Sequence, residues 1–154
     1  MEVKIIVFLN LLAYSLIVSQ SFSYIISLHN VQKNLAASTY IEFRKLTDRN
    51  FRTKFKFVFY TELIIGPIAI WLTSKEPTGL LFIATVISYI AFWTDAIIML
   101  KGNMPVNNLI NTWTKENYPD NWTFYRDKWL HVFGLRQIAN IAGFLALLIG
   151  IVFG

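Results

Sequence analysis

The sequence predicts an all-α fold: an integral membrane bundle of four transmembrane helices running up and down, with helical loops at its cytoplasmic face. Three observations predict it. The 154 residues are 55% hydrophobic and only 15% charged, on the apolar side of ordinary soluble domains. Four apolar windows, at about 3–28, 57–72, 79–100 and 134–153, reach or approach the roughly 17–25 residues that a helix needs to cross a hydrocarbon core of ~30 Å. The basic residues crowd into two of the connecting segments and are scarce elsewhere, which is how a multi-span membrane protein marks its cytoplasmic side. One bundle of this length makes a single transmembrane domain spanning residues 1–154.

The first window begins with Lys4 and an apolar run, and its "SQSFS" resembles the cleavage region of a secretory signal peptide. Its apolar character continues through "YIISL", longer than a signal core, so an uncleaved helix is expected. Segment 36–56 carries "ASTYIEFRKLTDRNFRTKF", with apolar residues at helical spacing among basic ones. It reads either as an interfacial helix lying on the membrane or as a solvated basic connector. The second window then leads through a short "TSKEPT" turn into the third. Segment 105–133 is a second interfacial stretch, with a short helix after "PVN" and a break at Pro119 and Asp120. A helix capped by Asp120 resumes at Trp122 and runs into the last span.

Orientation follows from the loops. Lys33, Arg44, Lys45, Arg49, Arg52, Lys54 and Lys56 lie between the first two windows, and Lys101, Lys115, Arg126 and Lys128 between the last two; the other side has only Lys4 and Lys75. Both long basic loops are expected in the cytoplasm and both termini outside, in a bacterial inner (plasma) membrane. The formal charge of +5 is therefore a topology signal, and no aromatic-basic module for nucleic acid is visible. The expected environment is the lipid bilayer. With no cysteine, disulfides, thiolate metal sites and cysteine nucleophiles are excluded.

Polar residues arrive at one depth from different helices. Glu62 and Asp95 each sit about six residues, or ~9 Å, inside the cytoplasmic ends of their windows. Arg136 and Asn140 open the last span, and His29 closes the first. At 100° per residue Glu62 shares a face with Gly66 and Ala69, Asp95 with Thr85 and Ser88, and Arg136 with Gly143 and Gly150. Small residues allow close helix approach in lipid, so the charged groups should face inward, with Glu62 and Asp95 both paired to Arg136. Such a cluster reads either as a functional site or as an ion-pair network that fixes helix register.

Before the last span, Trp122, Arg126, Trp129, Phe133 and Arg136 fall on one face. They suggest either a stacked cation and aromatic surface or an interfacial belt with snorkelling arginines. His131 projects elsewhere, near Asp127 at the i, i+4 spacing. His29, His131, Glu62, Asp95 and Glu42 lack a close His-pair motif, so no metal and no cofactor is predicted. Serine hydrolase, Walker and dinucleotide signatures are absent.

"NMPVNNLINTW" followed by "NWTFYRDKWLHVFGLRQIANIAGFLALL" resembles the C-terminal half of the anthrone oxygenase-like family of small four-helix membrane proteins. The pattern is carried by Asn103, Pro105, Asn107, Trp113, Trp122, Arg126, Asp127, Trp129 and Arg136, over about residues 102–153. The resemblance implies four transmembrane helices with the signature loop packed at one end. It also implies, for some members, oxidation of anthrones to anthraquinones without a bound cofactor. Many relatives carry His three positions before the final Arg, where this chain has Phe133. Its own His131 is offset by two residues, onto another face.

The resulting expectation is an oxygenase-like or oxidoreductase-like enzyme for a hydrophobic, aromatic or polycyclic small molecule. Asp95 or Glu62 would be the general base, and Arg136 with Asn107 would stabilise an oxyanion. Trp113, Trp122 and Trp129 would wall the pocket, with Arg126, Asn140 and His29 binding substrate. A second reading is a non-catalytic subunit or assembly factor of a larger membrane complex or homo-oligomer, and a third is a proton-coupled transporter.

Overall fold

A computed structural model describes residues 2–154. It is all-helical, with four long helices: α1 (Glu2–Asn34), α2 (Ala37–Thr73), α3 (Leu80–Thr112) and α4 (Trp122–Phe153). Each is long and apolar enough to cross a membrane. Side-chain contacts set the register. Arg136 meets Asp95 while Asn103 reaches the Trp129 carbonyl, so α3 and α4 run antiparallel. Tyr24 donates to the Leu130 carbonyl across α1 and α4, and Arg44 reaches Asn107 across α2 and α3.

The helices outrun the sequence-based windows. The span expected at 3–28 continues to Asn34, passing through a π turn at Tyr24–Leu28 where the His29 N–H donates to the Tyr24 carbonyl. The span expected to end near residue 100 continues to Thr112, through a second π turn at Met99–Asn103. A π turn leaves backbone partners unmatched on its C-terminal side, which is where Pro105, lacking an N–H, can sit inside a continuous helix. Segment 36–56 is helical from Ala37 onward and is not a separate element. It is the first half of α2, continuous with the span because nothing between Ala37 and Phe57 breaks a helix. Only Leu35 and Ala36 separate α1 from α2.

Segment 105–133 divides into the end of α3, a loop, and the beginning of α4. The expected start at Trp122 is observed, but the residue capping it is Asn121, without a side-chain cap bond, and not Asp120. The loop is tied down by Trp113, which is buried and whose carbonyl accepts from Lys45 Nζ.

Two apolar cores result. Tyr14, Ile17, Phe92 and Leu147 form one inside the spans. Tyr40, Ile41, Ile110, Trp113 and Trp129 belong to the other, at the end of the bundle that holds the signature loop. Burying aromatic rings of this size contributes most of the apolar area available there. Between the two cores lies a cavity.

Candidate functional site

The cavity has a volume of about 600 Å³ and is lined from all four helices. The sequence spacing explains its α2 wall. Arg44, Asp48, Arg52, Lys56 and Tyr60 recur every fourth residue and all line it, since i and i+4 lie on one helix face. Phe51, Phe55 and Phe59 run beside them. The π turns of α1 and α3 lie against the cavity at Tyr24, Leu28, Met99 and Asn103. Single π turns inside α-helices are frequent at functional sites because they re-aim side chains.

A polar patch occupies one region of this wall. Arg44 donates from Nη2 to Asn107 Oδ1 at 2.9 Å, and Asn107 Nδ2 donates to Asp48 Oδ1 at 3.0 Å. Asp48 Oδ2 accepts from Asn111 at 2.9 Å and from Arg52 Nε at 2.9 Å. The Arg44 guanidinium lies 3.6 Å from the Trp129 ring centroid, a close cation–π contact. The Trp129 carbonyl accepts from Asn103, whose Oδ1 faces Arg136 Nη1 at 3.4 Å. Arg136 is in turn fixed by Asp95, with Nε at 2.7 Å and Nη2 at 3.2 Å from its two oxygens. Arg44, Trp129, Asn103 and Arg136 thus form one contiguous surface built from three helices.

Of the residues singled out from sequence, Arg136, Asn107 and Trp129 line the cavity. Asp95 stands behind Arg136 and is engaged by it through both oxygens. Glu62 does not join that pair. It is fully buried and faces the Asn10 side-chain amide, which donates to both carboxylate oxygens at 2.9 and 3.0 Å when its nitrogen is turned toward them. Glu62 therefore faces α1, where Asn10 lies, instead of α4. Asn140 is buried with neither amide atom partnered and lies outside the cavity wall. Trp113 packs in the second core, and Trp122 packs at its edge with Arg126 5.1 Å from its ring.

Both histidines stand apart from this site. His29 is half-exposed and meets the Tyr24 ring edge-on. His131 is exposed, and Asp127, its expected i, i+4 neighbour, instead pairs with Arg126 at 2.9 Å. Among the described residues no group of three His, Cys, Asp or Glu side chains could hold a metal.

Sequence reasoning gave no site role to Arg44 and Asp48, and singled out Asn103 only as part of a motif. The signal was present in the four-residue spacing of Arg44, Asp48 and Arg52. It was obscured because an amphipathic basic helix on a membrane surface has the same periodicity as a helix that turns its polar stripe toward a cavity. Comparison with family models, with curated proteins and with solved structures finds no match to this chain.

Proposed function

We propose that this chain is an integral membrane protein that takes a hydrophobic, ring-bearing small molecule into its cavity and acts on it as a cofactor-independent oxygenase or oxidoreductase-like enzyme. The observation that carries this reading is the convergence of Arg44, Asn103, Asn107 and Arg136 at one part of a largely apolar cavity of about 600 Å³. That size suits one drug-sized ligand, and a few polar groups on apolar walls are what orients such a ligand. The reaction class is taken from the resemblance read in the sequence of residues 102–153 to anthrone oxygenase-like proteins.

In this reading Phe51, Phe55 and Phe59 hold the rings, and Arg136 with Asn107 stabilises an enolate-like oxygen. Asp95 positions Arg136. Asp48 is the carboxylate on the cavity wall. A carboxylate offers about four lone-pair sites, and three of those on Asp48 are taken by Asn107, Asn111 and Arg52. The remaining one, on Oδ1, accepts the substrate proton. With an anthrone, dioxygen converts the ring methylene to a carbonyl and leaves as that oxygen and one water. The test is oxygen uptake by purified protein with anthrone as the probe. Uptake lost in Asp48→Asn and Arg136→Gln, in folded protein, supports the assignment; uptake equal to that of empty micelles removes it.

One observation favours the alternative of a non-catalytic subunit or assembly factor. Both carboxylates buried within the spans, Asp95 and Glu62, are occupied by contacts between helices, as in a protein whose buried charges specify packing. Recovery from native membranes with a second polypeptide at fixed stoichiometry, together with no oxygen uptake, would make that reading the better one.

A further inference from the structure

The charges around the cavity do not balance. Its wall carries Arg44, Arg52, Lys56 and Arg136 against one carboxylate, Asp48. Asp48 is paired with Arg52 and Asp95 with Arg136. Among the described residues neither Arg44 nor Lys56 has a carboxylate within ion-pair distance. Lys56 is exposed, where water compensates it. Arg44 is only 4% exposed, and a buried guanidinium without a counter-charge is costly even when stacked and hydrogen-bonded.

Two buried donors beside it are also unsatisfied. Arg44 Nε and Trp129 Nε1 have no hydrogen-bond partner. Both side chains are more than nine-tenths buried, and both line the cavity. The contact of the guanidinium with the Trp129 ring holds the two side chains together. A neutral ligand oxygen can accept such bonds too, but only an anionic head also supplies the missing charge and strengthens them.

Resting on the reading that this cavity holds the protein's small molecule, we propose that it selects an acidic amphiphile. A single carboxylate or phosphate head is bound at Arg44 and Trp129, and its apolar body lies along Phe51, Phe55 and Phe59. Lys56, about 18 Å along α2 from Arg44 at ~1.5 Å rise per residue, does not share the head but raises the positive potential on the way to it. The volume suits a single-chain or fused-ring acid; the same acidic head could also be offered by a two-chain membrane lipid.

The test is native mass spectrometry of the full chain in a neutral detergent with three probes: oleic acid, oleyl alcohol and dioleoyl phosphatidylglycerol. Oleic acid should bind at least about tenfold more tightly than the alcohol, the scale of one charge-assisted contact. Arg44→Gln should erase that preference by weakening acid binding far more than alcohol binding, and Arg44→Lys should retain part of it. Stronger binding of phosphatidylglycerol than of oleic acid, equally sensitive to Arg44→Gln, supports the acidic head and assigns its source to bilayer lipid. Equal binding of acid and alcohol by the wild-type protein overturns the proposal while leaving the cavity reading intact, whatever the variants do. No binding of any probe, with anthrone also inert, overturns both.

Discussion

Arg136 holds both carboxylate oxygens of Asp95, at 2.7 and 3.2 Å, and joins α3 to α4 from positions 41 residues apart in sequence. Both side chains are buried, so neither charge is relieved by solvent. Removing one partner leaves the other uncompensated. We expect Asp95→Asn and Arg136→Gln each to lower stability by about 3–5 kcal/mol, while the paired apolar replacement Asp95→Leu with Arg136→Met costs much less. Thermal unfolding in detergent micelles measures all three. A double variant that loses as much as the two singles together would show that the two side chains act independently and would contradict this pairing.

The same helix pair is closed by glycines. A Cβ at Gly150 would run into the Ala84 side chain and approach the Leu81 backbone at 3.3 Å, whereas one at Gly134 would meet nothing within 4 Å. Gly150→Ala should therefore cost about 1–3 kcal/mol through overpacking. Gly134→Ala should be neutral or gain up to about 1 kcal/mol from helix propensity. The order of the two melting temperatures decides it, and a more stable Gly150→Ala protein would contradict this packing.

The sequence disclosed the number of helices, the inward faces and the Arg136–Asp95 pair for simple reasons. Apolar length reports a span, and small residues near Arg136 and Asp95 report the face that packs. It did not disclose that Glu62 turns to Asn10, because residue depth is set by position along one helix but partner choice depends on the rotation of two. Nor did it disclose the continuity of α2 and α3. The polar first half of α2 looks like a surface segment by composition, and Pro105 looks like a stop until the preceding π turn removes the need for its N–H. The cavity wall from Arg44 to Tyr60 was hidden by the same ambiguity.

Lys115 and Glu42 form an ion pair at 2.9 Å between the signature loop and the first turns of α2. The hydrogen bond and charge of Glu42 raise the Lys115 pKa above its ordinary 10.5. Because the folded value is the higher one, the contribution to stability is fully present below 10.5 and is lost as pH rises through the raised value. Nitrogen-detected NMR of the Lys115 ammonium should find its titration shifted upward in the wild type and moved back toward the ordinary value in Glu42→Gln, with Glu116 still raising it. As an exposed pair it should leave stability at pH 7 unchanged within the small range of surface ion pairs. A Lys115 titration identical in both proteins would mean that the pair does not persist in solution.

The last prediction concerns sidedness. Seven basic residues fall between the first two windows and four between the last two, against Lys4 and Lys75 on the other side, so the positive-inside rule predicts a cytoplasmic loop between α3 and α4. The antiparallel register puts Ser74, after α2, and Asn117, between α3 and α4, at opposite ends of the bundle. Both residues are exposed, and the chain contains no cysteine of its own, so single cysteines can be introduced without a background signal. In intact cells a membrane-impermeant maleimide should label Ser74→Cys, and Asn117→Cys should react only after permeabilisation. The reverse pattern would invert the protein, placing the Arg44 end of the cavity, and any acid it binds, on the outer face.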